Sequence, residues 1–526
     1  HIMEIDGIYY HTPYCEVFVM FGSWIPHKQY QRNLIARIIF HLGFQPGRVQ
    51  LLKSTILKLF YLNLDKILSV IKPLYSTTGT PSKEQAGIIR SLVLMLDQGK
   101  HSITEWADIV AKDPLLYDIC GFQKRAPVVS SYYDFIDRLW PESKEAERRR
   151  KKKVRIFQTI PRLKLKQGQK LPPKHKREVN KLVKRAILGT LRIFRKEQLM
   201  QEFFSRLVVD PSAAMGLLGD TKALSVAGDS SPYYSGGNSY GVKVCDCKAK
   251  GIYHCHCPRR YSDPDATWGW DSYRERYYFG DTLYAFTATG TDHDLPIYLR
   301  TVEARRHDSI TTIFALQEIQ ELLPEITIRD AVFDSAMDNY PTYKLCKHLG
   351  IRPFIALNDR SKDDSPEDDP DASEKKLPKG VSCLDDKDRP ICPGGIPYTY
   401  WGSIEGKGLK YRCWFAAHKR DCPCCCSPSS YGRTVYLKPD DDPRLFPPVA
   451  RDSETFKEKL RQRSGSERIN KRVFVDYDAE SGHMRDRKQR FFRAVIASVN
   501  VHLDEWIKHY NVKWFDLLLD VCPDAA

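Results

Sequence analysis

The chain has 526 residues, with 82 Lys and Arg against 66 Asp and Glu, a formal net charge of +16 and a pI near 9.1. Single hydrophobic cores stop growing at roughly 250 to 300 residues, so this length predicts three or four domains and excludes a peptide-sized binder. The charge points to a polyanionic partner, nucleic acid first, against the plainer alternative of a basic surface that binds nothing.

No run approaches the roughly 18 apolar residues of a membrane span, and the first residues lack the charged-then-apolar layout of a signal peptide. An intracellular protein is expected, with no membrane partner. His1-Ile2-Met3 reads as a cloning remnant ahead of a native Met3. In such a compartment the 15 cysteines read as metal ligands or buried thiols rather than disulfides.

Residues 4–140 are patterned for helices, with apolar residues at helical spacing in 35–42, 51–62 and 88–96. Pro81-Ser82 ahead of Lys83-Glu84 reads as a helix start, 102–109 as an amphipathic helix, and SSYYDFIDRLW at 130–140 as a short aromatic one. Such a domain fits either a helix-turn-helix reader of DNA or a helical packing unit without DNA contact. Six consecutive bases follow: Arg148, Arg149, Arg150, Lys151, Lys152 and Lys153. The basic bias continues through Lys164, Lys166, Lys170, Lys174, Lys176, Arg177, Lys181, Lys184 and Arg185, broken by Pro161, Pro172 and Pro173. Half or more of it reads as an extended arm that lies along phosphates without reading sequence.

From 223 to 357 strands and helices alternate: strands at 224–227, 278–287, 297–302, 331–333 and 353–356, helices at 310–323 and 340–349. This order fits a mixed sheet flanked by helices. Residues 361–376 are acidic and polar, and read as a disordered loop. Residues 383–448, rich in Cys, Gly, Pro and aromatics, read as a small β insertion. Helix resumes near Ser453 and closes the chain over 488–510.

Three acids stand out. In ALSVAGDSSPY a short apolar run delivers Asp229 to the end of a strand, AVFDSAMDNY does the same for Asp334, and the polar helix RQRSGSERINKR carries Glu467. Asp, Asp and Glu from two strands and a helix suit a pair of Mg2+ or Mn2+ ions about 3.5 to 4 Å apart that stabilise the attacking and leaving oxygens of a phosphodiester displacement. Each acid taken singly could be a turn cap. Asp338 competes for the second position, Asp308 reads as a supporting acid and His307 as a structural residue beside the site.

Two cysteine groups suggest structural zinc. Cys245 and Cys247 with Cys255 and Cys257, beside His254 and His256, offer six soft ligands, against a reading as reduced packing thiols. Cys383, Cys392, Cys413, Cys422 and Cys424, with Cys425 and Cys426, lie in the β insertion, where a small module gains from a metal staple. Of the tryptophans, Trp268, Trp270 and Trp414 read mainly as core, and Trp401 as the exposed one able to stack on an unpaired base.

The segments GDSSPYYSG, YYFGDTLYAFTATGTDHDLPIYLRTVEARRHDS, VFDSAMDNYPTYKLCKHLGIRPFIALND and RDSETFKEKLRQRSGSERIN together resemble the DDE transposases of bacterial insertion sequences. The similarity is to the branch with a Tyr-x2-Arg-x3-Glu-x6-Lys signature. Arg463-x3-Glu467 matches it, while Leu460 stands for the Tyr and Phe474 for the Lys, leaving the terminal phosphate to Arg463, Arg468 and Lys471. The resemblance implies a ribonuclease-H-like α/β core interrupted by the β insertion and preceded by an all-helical domain. The expected division is 1–145 helical and DNA-binding, 146–220 basic linker and helix, 221–360 first part of the core, 361–450 insertion, and 451–526 the rest of the core. It further implies double-stranded DNA substrates, cut-and-paste movement through a hairpin or another route, a homodimer holding two DNA ends, and a place in the bacterial cytoplasm at the nucleoid. The same acids would also serve a nuclease that cuts without joining, and a DNA binder without catalysis is the remaining alternative.

Overall fold

The computed structural model describes residues 3–5, 8–10, 21–43, 46–123, 125–155, 174–193, 196–357, 377–385, 389–423, 427–481 and 483–511. The predicted acidic loop, the bases Lys164, Lys166 and Lys170, and Cys424, Cys425 and Cys426 lie outside them. Among the described residues no helix is long and apolar enough to cross a membrane.

The first part of the chain is helical, as its apolar spacing predicts: α1 (His27–Leu42), α2 (Lys53–Tyr61), α3 (Gln85–Asp97), α4 (Ile103–Lys112) and α5 (Val129–Arg138). Ser102 starts α4 by accepting a hydrogen bond from the Glu105 amide at 3.2 Å, and the stripe Trp106, Ala107, Val110 turns inward. α3 is buried on every side from Gln85 to Leu96 and packs against α2, α4 and α5. The six consecutive bases form the end of α6 (Lys144–Lys152), capped by the Ser143 side chain, and run into the short strand β1 (Val154–Arg155), while 156–173, where most of the expected extended arm falls, lie outside the described residues. Beyond it α7 (Lys174–Ile187) and α8 (Gln198–Phe204) are again helical. Helix wins because Glu145 and Glu147 in the first turn of α6, and four bases in its last, complement the helix dipole.

The mixed sheet is built from β2 (Leu224–Tyr234), β5 (Thr267–Asp271), β6 (Arg276–Ala288), β7 (Leu295–Glu303), β8 (Ile328–Phe333) and β9 (Arg352–Ile355). Two shorter strands, β3 (Val242–Lys243) and β4 (Arg259–Arg260), pair with β1 in a separate sheet ordered β1-β4-β3. In the main sheet β9, β8 and β2 run parallel side by side, and β2 then pairs antiparallel with β6. β6 pairs antiparallel with both β7 and β5. The helix α9 (Asp308–Leu322) connects β7 to β8, and α10 (Tyr340–His348) connects β8 to β9. β2 is longer than expected: it continues past Asp229 to Tyr234 because β6 supplies pairing partners as far as Gly280. Asp229 therefore sits within a strand rather than at its end.

The β insertion is a three-stranded antiparallel sheet, β10 (Thr399–Ile404), β11 (Gly408–Arg412) and β12 (Thr434–Leu437), over its own core of Tyr398, Leu409, Tyr411, Val435, Leu437 and Phe446. The chain then returns through α11 (Glu454–Arg461) and α12 (Ser464–Lys471) to α13 (Arg487–Tyr510). With 24 residues, α13 spans about 36 Å. It packs against α2, α3, α5 and α8 and against β7, so the N-terminal helices and the sheet share one hydrophobic cluster running from Phe21 to Trp506.

Polar residues fix how α13 is set. Arg487 donates to Asp281 Oδ1 on β6 at 2.6 Å, and Arg490 donates from Nε to Asp281 Oδ2 at 3.0 Å and also binds Asp263. Arg490, Asp281 and Asp263 are all fully buried. Burial alone would raise the Asp281 carboxyl, but the two guanidiniums outweigh it and hold it below the usual carboxylate range. Replacing Arg490 by Ala would leave the buried Asp263 without its cation and Asp281 with Arg487 alone, and should destabilise the protein by about 3–5 kcal/mol. Arg490→Met together with Asp263→Asn should recover part of that loss; urea unfolding of the three proteins checks both outcomes.

Candidate functional site

The site lies where β2, β8, α9 and α12 meet. Val332 on β8 is in register with Ala227 on β2 in a parallel pair. Two residues further along the chain from each come Asp334, just past the end of β8, and Asp229, still within β2, so the paired strands lead the two acids out on the same side. Gly228 makes this possible. A Cβ there would lie 2.3 Å from the Tyr284 hydroxyl, 2.8 Å from Phe286 and 2.9 Å from Phe333, so the rings beneath the site close over a bare backbone.

Glu467 arrives on α12, which packs against β2 and β6. Gly465 permits that approach: a Cβ there would meet Asp294 at 2.5 Å and Thr289 at 2.7 Å. Arg468 on the same helix holds Asp294 through Nε and Nη2, each at 2.6 Å, and Asn470 donates to Asp229 Oδ2 at 3.0 Å. Glu467 is half exposed and pairs with Arg463 at 2.8 Å.

The fourth acid is Asp308, the first residue of α9, whose carboxylate accepts a hydrogen bond from Ser230 beside Asp229. Its part was signalled in the sequence only as a supporting acid in RRHDS, because nothing in a linear pattern brings the start of α9 to the middle of β2. His307 caps α9, its Nδ1 accepting from the Ser309 amide at 3.2 Å, a structural role as expected. Asp338, the rival to Asp334, is instead fully buried and clamped by Arg444 at 2.6 and 3.1 Å with the Tyr343 hydroxyl at 3.1 Å. Asp334 is exposed and caps the turn after β8, accepting from the Ser335 amide at 2.6 Å.

Burial raises the Asp229 carboxyl to about 7, and the charges of Asp308 and Glu467 add to the effect against the opposing pull of Arg463 and the Ser230 amide. Asp308 is raised in the same way, by burial and by Asp334. Asp229 and Asp308, each raised by burial and by neighbouring acids, are strained as anions, and a cation beside them would relieve that strain. Among the described residues, the group whose ligand atoms all lie within 4.8 Å of one another is the cysteine group.

That group is Cys245, Cys247, Cys255 and Cys257, and it can hold a metal such as zinc. The facing sulfurs of Cys245 and Cys255, and of Cys247 and Cys257, are each 3.6 Å apart. Four thiolates about 2.3 Å from a tetrahedral zinc are roughly 3.8 Å from one another, so the fit is close. His254 and His256 are exposed and outside the set. The second cysteine group does not assemble among the described residues: Cys392 and Cys413 are buried in the insertion's core, Cys383 is exposed and Cys422 packs at the core's edge. Apolar packing has taken up thiols that were expected to ligate.

The expected DNA contacts divide. Arg150 is taken up inside the protein by Glu142 at 2.9 Å, Asp486 at 3.3 Å and Asp265, which removes it from the phosphate-binding set. Lys151 pairs with Glu147 at 2.6 Å, whereas Arg148, Arg149, Lys152 and Lys153 are exposed. On α12, Arg463 and Arg468 hold acids as described and Lys471 is exposed. Leu460 and Phe474, which stand where the resemblance wants Tyr and Lys, are packing residues: Leu460 lies against the Ala227, Val332, Phe354 and Phe456 cluster, and Phe474 meets the Tyr233 ring edge-on at 5.1 Å. Trp401 is 44% exposed with the Arg412 guanidinium 4.8 Å from its ring centre.

Two outcomes are expected. The raised pKa of Asp229 means that its favourable contribution to folding is complete below its ordinary value of 3.8 and is lost as pH rises through about 7. Metal-free Asp229→Asn should therefore be more stable than the parent at pH 8, on the order of 1–3 kcal/mol, with no such gain at pH 4. Magnesium should raise the parent's Tm and leave that of the variant unchanged, as read by thermal unfolding. Gly465→Val should push α12 off the sheet and cost about 1–3 kcal/mol, measured by urea unfolding.

No family model, curated protein or solved structure matches this chain.

Proposed function

We propose that this chain is a DDE-type DNA transposase with a ribonuclease-H-like core, cleaving the ends of its element and joining the 3′ hydroxyls to target DNA by metal-assisted phosphoryl transfer. The observation that carries the reading is that Asp229 and Asp334 each lie two residues beyond the paired Ala227 and Val332 of adjacent parallel strands, with Glu467 carried on α12, which packs against β2. The strand order supports it too: an antiparallel meander of β2, β6 and β7, then two helix-connected parallel strands added on the far side of β2, is the arrangement expected of such a core.

In this mechanism Asp229, Asp334 and Glu467 hold two Mg2+ or Mn2+ ions, which supply Lewis acidity and lower the pKa of bound water. The protein's own residues do the positioning. Asn470 keeps one oxygen of Asp229 oriented, Ser230 orients Asp308 behind it, and Arg463 holds Glu467 near the strands until a cation competes for it. Lys471 and Trp401 are exposed for a phosphate and an unpaired base. Net charge of +16 favours encounter with a duplex. Dimeric synapsis and the hairpin route follow from the resemblance.

The test is incubation of the chain with the inverted repeats that flank its gene and Mg2+ or Mn2+. Asp229→Ala, Asp334→Ala and Glu467→Ala should each lower cleavage on the order of 10²–10³-fold or more. Asp308→Asn should cost roughly 10–100-fold, as loss of a supporting group does. A labelled pre-cleaved end should become joined to target DNA. Cleavage without joining would make the chain a nuclease, and the absence of both reactions would overturn the reading.

A further inference from the structure

We propose that the cysteine module between β2 and β5, organised by one zinc ion, is a DNA-docking surface continuous with the basic end of α6. This goes beyond the active site and rests on the reading of DNA as substrate. The first observation is the pairing of β4 with both β1 and β3. Arg259 is in register with Arg155 on one side and with Lys243 on the other, and Arg260 with Val154 and Val242. Neighbouring strands are about 4.8 Å apart, so three cations stand in one cross-strand row, an arrangement that like-charge repulsion disfavours. These cations fold back onto carbonyl oxygens: Arg155 on Ala266 at 3.0 Å, Arg259 on Tyr240 at 3.0 Å, and Lys243 on Tyr253.

The second observation is the opposite row. Val154 and Val242 are exposed, and Arg260 stands exposed between them. Lys152 and Lys153 lead into β1 from one side, and Lys248 and Lys250 project from the cysteine loop on the other, all exposed. From Tyr240 to Tyr261 there are five Lys and Arg against the single acid Asp246. A phosphate backbone is the ligand whose charge complements such a surface, and the flanking exposed apolar side chains lie where they can pack against sugars.

The third observation is rigidity. The module would be a floppy loop without its metal, but its exit is fixed: the Asp263 side chain accepts from the Asp265 and Ala266 amides at 3.1 Å and from Ser235 at 2.6 Å, and binds Arg490 of α13. Arg150 ties α6 to Asp265 and to Asp486 at the start of α13. The basic end of α6 and the cysteine module are thus held to one frame, and four thiolates close the outer end.

The test uses the full chain carrying Asp229→Asn, so that DNA is bound and not cut, with a fluorescent random-sequence duplex. Zinc content is measured alongside by atomic emission. One zinc per chain is expected, lost in Cys247→Ser/Cys257→Ser. Lys248→Gln/Lys250→Gln/Arg260→Gln should weaken binding about tenfold at moderate salt and reduce the slope of log K against log salt by about 2–3, with Tm unchanged. The zinc-free variant should show the same loss. Unchanged affinity and slope in the Gln variant, or a zinc-free parent, would overturn the proposal while leaving metal-dependent cleavage in place. A parent that binds no DNA at all would instead overturn the transposase reading beneath it.

Discussion

Asp281 is held by two arginines from one helix, in a place that water does not reach. A lone carboxylate in the middle of a strand at zero exposure would not remain charged. With Arg487 and Arg490 on it, the acid becomes the point at which the last helix is pinned to the sheet. Arg490 also reaches Asp263, so a single side chain sets the sheet and the exit of the cysteine module against the same axis. Around that axis the N-terminal helices pack, and their hydrophobic cluster runs without a break into the sheet. Ion pairs of this kind contribute specificity of placement more than net stability, because the desolvation they require offsets much of their attraction.

Placement matters because the acidic site is built against its own charge. Asp229, Asp308, Asp334 and Glu467 come from four separate elements, and burial together with their neighbours' charge raises the cost of ionising Asp229 and Asp308. An arrangement of this kind persists only where the surrounding packing leaves no alternative. Gly228 and Gly465 provide the close approaches, Asn470 and Ser230 supply the hydrogen bonds, and Arg468 on Asp294 locks α12 to the loop before β7. Glu467 is the freest of the four, half exposed and resting on Arg463.

The cationic side of the molecule follows a different rule. Ion-paired bases such as the part-buried Arg150 and the buried Arg490 hold elements together, and exposed ones stand at the end of α6 and on the cysteine module. A net charge counts both equally, although only the second kind can meet a phosphate. Trp401 over Arg412, on the insertion sheet, adds an aromatic face to that exposed set.

Local pattern by itself determined the helices of the first 140 residues, five of the six strands of the main sheet and the helices between them, the final helix over 488–510, and the paired spacing of Cys245, Cys247, Cys255 and Cys257; it did not mark β3, β4 or β5. Each is a period or a short-range spacing, written in neighbouring residues. Only tertiary structure decided the rest. It extended β2 past Asp229 because β6 lay alongside, buried the Asp338 side chain under Arg444 while leaving Asp334 exposed, and brought Asp308 in from α9. It also withdrew Arg150 from the surface and left Cys392 and Cys413 in an apolar core. Those outcomes depend on contacts between residues up to several hundred positions apart, and the free energy of burying or pairing a charge is set by what packs around it, which no local spacing records.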